Sequence, residues 1–166
     1  MTDPLHPFPA WQYEKGIKLM TTPTFRIHPD IKSTVYFSAV FESARADRTG
    51  FTEVAYVDSK GAILEGSTFN VIAVLSGPKL VTAKEGVLAG VTIRCVLECA
   101  RKLKIPVVRS SITPQMIRGA KEMFITSSNR ELIPVRQVDQ IKIGSGMPGP
   151  ITQQLHDEYR SLASHC

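Results

Sequence analysis

The chain has 166 residues, of which 43% are hydrophobic and 21% charged. This is the composition of a globular protein with one substantial core, and it excludes a chain that is disordered throughout. The net charge of +5 is modest, and the densest basic cluster, at Arg101, Lys102 and Lys104, falls at the end of a predicted helix, where cations favour the helix dipole. No aromatic residues are interleaved with it, so we expect no nucleic-acid partner.

The short apolar runs and the small number of cysteines argue against a membrane protein, a secreted protein and a zinc-binding protein. The longest runs, such as residues 69–75, are too short to cross a bilayer, and no signal segment opens the chain. Cys95 and Cys99 share a face of a predicted helix, but no further ligand pair completes a zinc site. We therefore expect reduced thiols, a cytoplasmic location, no membrane association and no bound metal.

The first 25 residues are predicted to be a linker or arm followed by the first strand, because prolines 4, 7 and 9 interrupt regular structure. Residues 16–25 predict an extended segment that Pro23 would confine to a sheet edge. One domain is predicted from residue 26 to residue 166. Its first element is a helix over residues 33–50 with apolar residues at helical spacing and Lys32 at or just before the first turn.

Alternation and turn residues then predict four short strands, at residues 53–58, 62–66, 69–75 and 80–83. Residues 87–104 follow, in which a Gly-Val-Thr entry leads into an amphipathic helix with Ile93, Val96, Leu97 and Ala100 as its apolar stripe. After a strand at residues 105–112, a short helix is expected with Thr113 as its cap and Pro114 at its first position. Strands at residues 122–128 and 133–144 and a helix from Ile151 to about Ala163 complete a mixed α+β fold.

Polar residues stand at the ends of three apolar elements. Glu65 lies between two predicted strands. Its alternatives are an exposed turn residue, one half of an ion pair, or a contact to a ligand. Thr92 follows a glycine at a helix start, where free backbone N–H groups suit a phosphate, although a threonine there often only caps the helix. Thr126, Ser127 and Ser128 end a hydrophobic strand, either as an anion site or as a hydroxyl-rich turn.

A lysine, a carboxylate and an anion site have a common ligand in pyridoxal 5′-phosphate. The amine of Lys32 would form a Schiff base with its aldehyde. A carboxylate such as Glu65, opposite the pyridine nitrogen, keeps that nitrogen protonated, so the ring accepts electrons. A helix start then holds the phosphate. The alternative is that both residues are ordinary surface charges at element boundaries.

Five stretches, spread in order between residues 16 and 155, resemble the fold-type IV (class IV) pyridoxal-phosphate-dependent aminotransferases. They are DIKS, EGSTFNV, LAGVTIR, EMFITSSNRELIPV and GMPGPIT. This family includes D-amino acid aminotransferases, branched-chain aminotransferases and aminodeoxychorismate lyases, and DIKS and EGSTFN are closer to the first group. The resemblance implies a short-stranded, pseudo-barrel-like sheet flanked by helices. It also implies that residues 26–166 are the cofactor-binding C-terminal domain, without the family's small N-terminal domain.

The same resemblance implies a role for each site residue. Lys32 would be the catalytic Schiff-base lysine, Glu65 the partner of the pyridine nitrogen, and Leu88 a packing contact on the ring. The remaining residues are the phosphate contacts Val91, Thr92 and Ser128, and the substrate contacts Thr126, Ser127 and Asn129. Tyr36 matches a ring-hydroxyl contact found in some members, and its alternative is a core position in its helix. Arg26 does not match the phosphate-binding arginine, which belongs to the missing domain.

The implied reaction is transamination of an amino acid with a 2-oxo acid. One alternative is a lyase of the aminodeoxychorismate type. Another is a truncated, non-catalytic half that binds the cofactor weakly or assembles only with partner chains. We also expect a homo-oligomer, a dimer by resemblance, because removal of a domain would expose apolar surface.

Overall fold

The computed structural model describes residues 8–24 and 26–164, which form helices around one large sheet. The helices are α1 (Ala10–Lys15), α2 (Phe37–Arg48), α3 (Val91–Lys102), α4 (Pro114–Gly119) and α5 (Pro150–Ala163). The strands are β1 (Ile17–Thr22), β2 (Glu53–Val57), β3 (Ile63–Gly66), β4 (Asn70–Leu75), β5 (Lys79–Thr82), β6 (Val107–Arg109), β7 (Glu122–Ser127), β8 (Glu131–Val138) and β9 (Ile141–Lys142).

Six strands of the sheet close into a barrel. Their order is β3-β2-β1-β8-β7-β4, and β4 pairs back to β3 through Glu65 and Asn70. β5 and β6 extend the sheet outward from β4, while β9 pairs with β8. The predicted mixed α+β fold with a barrel-like sheet flanked by helices is confirmed. The closing pair, Glu65 and Asn70, belongs to the stretch that sequence analysis marked as functional.

The prediction that the first strand lies at a sheet edge is wrong. β1 lies between β2 and β8 and is parallel to both. Its side chains Ile17 and Leu19 are buried. The reason is that the strand ends at Thr22, so Pro23 follows the last ladder position and removes no hydrogen bond from the sheet.

Two apolar clusters lie on the two faces of the sheet, since successive side chains of a strand point in opposite directions. In β4, Val71 and Ala73 pack into the cluster that also contains Ile125. Their neighbours Ile72 and Val74 pack on the other face, against α3 and α5. These clusters place the ends of β3, β4 and β7, which carry polar residues, on a rigid frame.

Helix α3 packs as predicted: Ile93, Val96 and Ala100 are buried and Leu97 is half-buried. The short helix α4 is also confirmed, with Pro114 at its start and the Thr113 hydroxyl accepting a hydrogen bond from the Met116 N–H at 3.2 Å. The stretch predicted as a linker or arm contains α1, which packs against β8. Within the described residues, no helix is both long and apolar enough to span a membrane.

The helix predicted over residues 33–50 begins later, at Phe37, and its apolar face points outward. It buries Glu42 and Ala46, whereas Phe37 is 84% exposed and Val40 and Phe41 are exposed as well. The apolar spacing that predicted this helix therefore does not mark a buried face, because nothing in the described chain covers it. Lys32 consequently lies in the loop before α2 rather than at its first turn.

Candidate functional site

A cavity of about 480 Å³ opens where the Lys32 loop, the β3–β4 connection, the start of α3 and the β7–β8 turn meet. Most of the residues that line it have polar side chains. All ten residues predicted for the site are among them: Lys32, Tyr36, Glu65, Leu88, Val91, Thr92, Thr126, Ser127, Ser128 and Asn129. The structure therefore brings the whole predicted set together around one space large enough for a small molecule.

The carboxylate of Glu65 is the most buried charged group of the cavity, with 2% of the residue exposed. Its Oε2 atom accepts a hydrogen bond from the Leu88 N–H at 2.8 Å. Its Oε1 atom has no hydrogen-bond partner among the described residues and lies 3.4 Å from Nη1 of Arg26. Burial raises the pKa of Glu65, and the Leu88 hydrogen bond and Arg26 partly offset this. One buried oxygen therefore accepts no hydrogen bond among the described residues, although it has an ion-pair partner in Arg26.

Arg26 is a site residue that sequence analysis did not assign. Its guanidinium reaches Glu65 and also donates a hydrogen bond from Nη2 to the Ser67 carbonyl at 2.6 Å. It thereby balances the buried carboxylate and ties the segment before Lys32 to the β3–β4 connection. The only signal in the sequence is a cation six positions before the lysine, which says nothing about its partner.

Two hydrogen bonds fix the segment that leads into α3. Leu88 donates its N–H to Glu65, and its carbonyl accepts from Nδ2 of Asn70 at 2.9 Å. Gly90 comes so close to the same amide that a Cβ atom there would lie 2.5 Å from Oδ1 of Asn70. A glycine is needed at this position for close packing. Asn70 is a second residue that sequence analysis missed, although it lies within the quoted EGSTFNV stretch.

The first turn of α3 offers backbone donors to the cavity. Its N-cap residue is Gly90, and no side chain caps it. The N–H groups of a first helical turn have no partner within the helix and carry the positive end of its dipole. Gly90, Val91 and Thr92 all line the cavity. The possibility that Thr92 merely caps α3 is excluded, because Thr92 lies inside the helix. This arrangement suits an anion such as a phosphate.

The end of β7 brings hydroxyl groups to the same cavity. Thr126 is 1% exposed, and its Oγ1 atom has no hydrogen-bond partner among the described residues. Ser127 donates its hydroxyl to Oδ1 of Asn129 at 3.0 Å, and Ser128 and Asn129 are exposed in the turn. A buried hydroxyl without a partner costs free energy unless a ligand satisfies it. Thr126 therefore marks a polar contact that the cavity offers to a ligand.

Lys32 and Tyr36 lie on the more open side of the site. Both line the cavity, and both side chains are exposed. The alternative that Tyr36 is a core residue of its helix is wrong, because it is the N-cap residue of α2 and is not buried. Lys32 is a surface residue that shares its cavity with the buried Glu65. The alternative that both residues are ordinary surface charges therefore holds for Lys32 and is wrong for the buried Glu65, and their binding of one ligand stays a prediction.

Comparison with known proteins identifies the relatives of the chain. The family model described as Amino-transferase class IV matches residues 3–138. The branched-chain-amino-acid aminotransferase of Pseudomonas aeruginosa is 30% identical over 157 residues, which are 91% of this chain and 51% of the relative. The chain spans about half the length of the curated relatives it matches.

Solved structures give the same result. The Escherichia coli branched-chain amino acid aminotransferase has a TM-score of 0.85 and 28% identity over 96% of this chain and 55% of that one. A branched-chain amino acid aminotransferase from T.th., solved with N-(5′-phosphopyridoxyl)-L-glutamate, has a TM-score of 0.84 and 25% identity over 90% of this chain and 53% of that one. The closer likeness to D-amino acid aminotransferases, expected from DIKS and EGSTFN, stays a prediction.

Proposed function

The chain belongs to the class IV aminotransferase family, and we propose that it uses pyridoxal 5′-phosphate to move an amino group from an amino acid to a 2-oxo acid. The observation that carries the proposal is the cavity itself, which combines a lysine, a buried carboxylate with one oxygen that accepts no hydrogen bond among the described residues, and an uncapped helix start. When bound, pyridoxal phosphate supplies an electron-accepting ring and an aldehyde that reacts with amines. The phosphopyridoxyl compound in the T.th. relative supports this cofactor.

Lys32 is the proposed attachment point for the cofactor and the carrier of the proton that leaves the substrate's Cα. Both tasks require an amine that reaches the cavity and changes partners during the reaction. Lys32 meets this requirement, because it lines the cavity from a loop outside regular structure. Tyr36, four positions later, lines the same side of the cavity.

Glu65 is the proposed partner of the protonated pyridine nitrogen. The Oε1 atom, which accepts no hydrogen bond among the described residues and lies 3.4 Å from Arg26, is the proposed acceptor, and the Leu88 N–H holds the other oxygen in place. Because the group is shielded from water, its interaction with a positive N–H is stronger than at the surface. Leu88 lines the cavity next to this carboxylate and would pack on the ring.

The start of α3 is the proposed phosphate site, with backbone donors at Val91 and Thr92 and the hydroxyl of Thr92. Ser128 would add a hydroxyl from the β7–β8 turn. The substrate's carboxylate is assigned to the neighbouring group of Thr126, Ser127 and Asn129, in which the Thr126 hydroxyl is unpartnered among the described residues. These assignments divide the polar lining into one anion site for the cofactor and one for the substrate.

We further propose that the protein forms a homo-oligomer, a dimer by resemblance, through the outward face of α2. Phe37, Val40 and Phe41 are exposed together there, next to Ile31 and Val35 of the Lys32 loop. Contiguous exposed apolar residues of this kind mark interaction surfaces. Light scattering after size-exclusion chromatography tests this directly: a mass above that of one chain is expected, and a monomer at all concentrations contradicts it.

The activity is tested by supplying pyridoxal phosphate, an amino acid and a 2-oxo acid, and by measuring the new amino acid formed. The protein should catalyse the transfer and Lys32→Ala should not. Lys60→Ala, which replaces an exposed lysine outside the cavity, should behave like the unsubstituted protein. Comparing the D and L enantiomers of alanine and valine as amino donors distinguishes a D-amino acid aminotransferase from a branched-chain aminotransferase.

Two other outcomes separate the alternatives. Release of pyruvate from aminodeoxychorismate without amino transfer would favour the lyase. Cofactor binding that depends on Lys32 without any turnover would favour the non-catalytic half.

A further inference from the structure

Arg130 links two parts of the cavity wall without lining the cavity itself. It is the residue of the β7–β8 turn that directly follows the lining residues Ser127 to Asn129. Its Nη1 atom donates a hydrogen bond to the Thr68 hydroxyl at 2.8 Å. Thr68 belongs to the β3–β4 connection and lines the cavity with its neighbours Ser67 and Phe69. One side chain therefore joins two wall segments that are far apart in the sequence.

An ion pair anchors this link to the barrel. The Nη2 atom of Arg130 lies 2.5 Å from Oε1 of Glu53, the first residue of β2. The two side chains are only 12% and 15% exposed. Since both charges are largely removed from water, deletion of either one leaves the other poorly compensated. The pair thus holds the guanidinium in one place, although Glu53 does not line the cavity.

Aromatic rings and backbone contacts complete the setting of Arg130. Its guanidinium carbon lies 4.7 Å from the ring centre of Phe8 and 5.8 Å from that of Phe69, at distances where cations are attracted to aromatic faces. The backbone N–H of Arg130 donates to the Ser127 carbonyl at 3.2 Å, and its carbonyl accepts from the Tyr13 hydroxyl at 3.2 Å. Both the side chain and the turn that carries it are therefore fixed.

We propose that Arg130 is a positioning residue that sets the spacing between the Thr68 segment and the Ser127–Asn129 turn, and thereby the fit of the cavity for its ligands. The inference rests on the proposed function, because it assigns the ligand as pyridoxal phosphate with an amino acid substrate. The planar guanidinium suits this task, since it donates to Thr68 and Glu53 at once. A lysine ammonium has one donor centre and cannot reproduce both contacts in the same geometry.

The experiment measures the dissociation constant of pyridoxal phosphate by equilibrium dialysis for Arg130→Met, Glu53→Gln and the double variant. Each single change should weaken binding about five- to tenfold, which is less than the loss of a charge-assisted hydrogen bond to the ligand itself would cause, because Arg130 acts only through the cavity wall. The double variant should be no weaker than the worse single variant, because both changes break the same link. Arg130→Lys should fall between Arg130→Met and the unsubstituted protein.

The control variant is Lys102→Met, which removes an ion pair of 3.2 Å to Glu158, between α3 and α5. Neither residue lines the cavity, so binding should be unchanged. Thermal unfolding of every variant distinguishes an effect on the stability of the fold from an effect on cofactor binding. If Arg130→Met lowers the melting temperature but leaves the dissociation constant unchanged, Arg130 only stabilises the fold and the inference is overturned.

Hydrogen–deuterium exchange tests the link made by Arg130 independently of the proposed function. In Arg130→Met, the amides of residues 66–70 should exchange faster than in the unsubstituted protein, although the substitution lies in another segment. Failure of the unsubstituted protein to bind pyridoxal phosphate would refute the proposed function. Exchange of residues 66–70 would then decide the link alone: acceleration supports it and an unchanged rate overturns it.

Discussion

Replacement of Glu65 by glutamine removes one charge from the cavity and keeps the shape of the side chain. The glutamine oxygen can still accept the hydrogen bond that Leu88 donates at 2.8 Å. Two interactions change: Arg26, 3.4 Å away, loses its ion partner, and the ligand's pyridine nitrogen loses a carboxylate. The first concerns stability and the second concerns cofactor binding, so the two effects can be measured apart.

The stability effect of Glu65→Gln should be small, because opposing contributions offset each other. A hydrogen bond to a charged group contributes about 1.5–3 kcal/mol and a neutral one about 0.5–1.5 kcal/mol, so weakening of the Leu88 contact costs about 1 kcal/mol. Against this, burial raises the pKa of Glu65, which means that ionisation of the carboxylate disfavours the folded state. The wild-type protein therefore loses stability as the pH rises from 4.5 through the raised pKa, and the glutamine variant does not.

The effect of the same substitution on the cofactor should be larger. Exchange of a charged for a neutral acceptor at the pyridine nitrogen costs about 1–2 kcal/mol, which corresponds to a roughly five- to thirtyfold higher dissociation constant. Equilibrium dialysis measures this, with Glu98→Gln as the matched charge change at an exposed position of α3. An unchanged dissociation constant for Glu65→Gln, with the protein folded, would refute the role assigned to Glu65.

Two further substitutions test the site and its support. Thr126→Val removes a buried hydroxyl without a described partner, so stability to urea should rise by up to about 1 kcal/mol while titration shows weaker amino-acid binding. Glu131→Gln removes a carboxylate that accepts hydrogen bonds from His156 and Arg160. Burial tends to raise the pKa of Glu131, but these two hydrogen bonds outweigh burial and hold the pKa below 4.5. Urea unfolding should therefore show wild-type Glu131 stabilising the protein at neutral pH, with the advantage lost as the pH falls through the lowered pKa.

Each of these results has a clear opposite. Equal amino-acid affinity in Thr126→Val would remove that hydroxyl from the substrate site. If wild-type Glu131 still stabilised the protein below its lowered pKa, the negative charge would not be the cause of its contacts with His156 and Arg160 of α5. Ser161→Ala, on the same helix, has no ionisable group and should show no such pH dependence.

The sequence predicted which residues line the cavity better than it predicted the surfaces around it. Glu65, Thr92 and Thr126 were predicted because each is a polar residue at the end of an apolar element. Glu65 and Thr126 lie near the ends of barrel strands, and Thr92 lies in the first turn of the helix that meets them. For α2, periodicity identified which residues share a face but not whether anything covers that face. Spacing along the chain thus predicts which residues share a helix face and where helices and strands end. Contacts between these elements become visible only in the folded structure.

The residues that sequence analysis missed depend on contacts between distant positions. Arg26 is an ordinary cation until the fold places it 3.4 Å from Glu65. Arg130 lies inside a quoted stretch, yet its role depends on Glu53 at the start of β2. Pro23 suggested an edge strand only because the sequence does not show that β1 ends one residue earlier. Nothing in local propensity reports these pairings.

The proposed function depends above all on Lys32 holding pyridoxal phosphate in the cavity it shares with Glu65. The most direct test is reduction of the protein with borohydride in the presence of pyridoxal phosphate, followed by proteolysis and mass spectrometry of the labelled peptide. We expect a phosphopyridoxyl label on Lys32 at about one equivalent per chain, the stoichiometry of a single Schiff-base lysine, with little label on Lys60 or on any lysine of Lys32→Ala. Label spread over several exposed lysines, and unchanged by Lys32→Ala, would contradict this assignment.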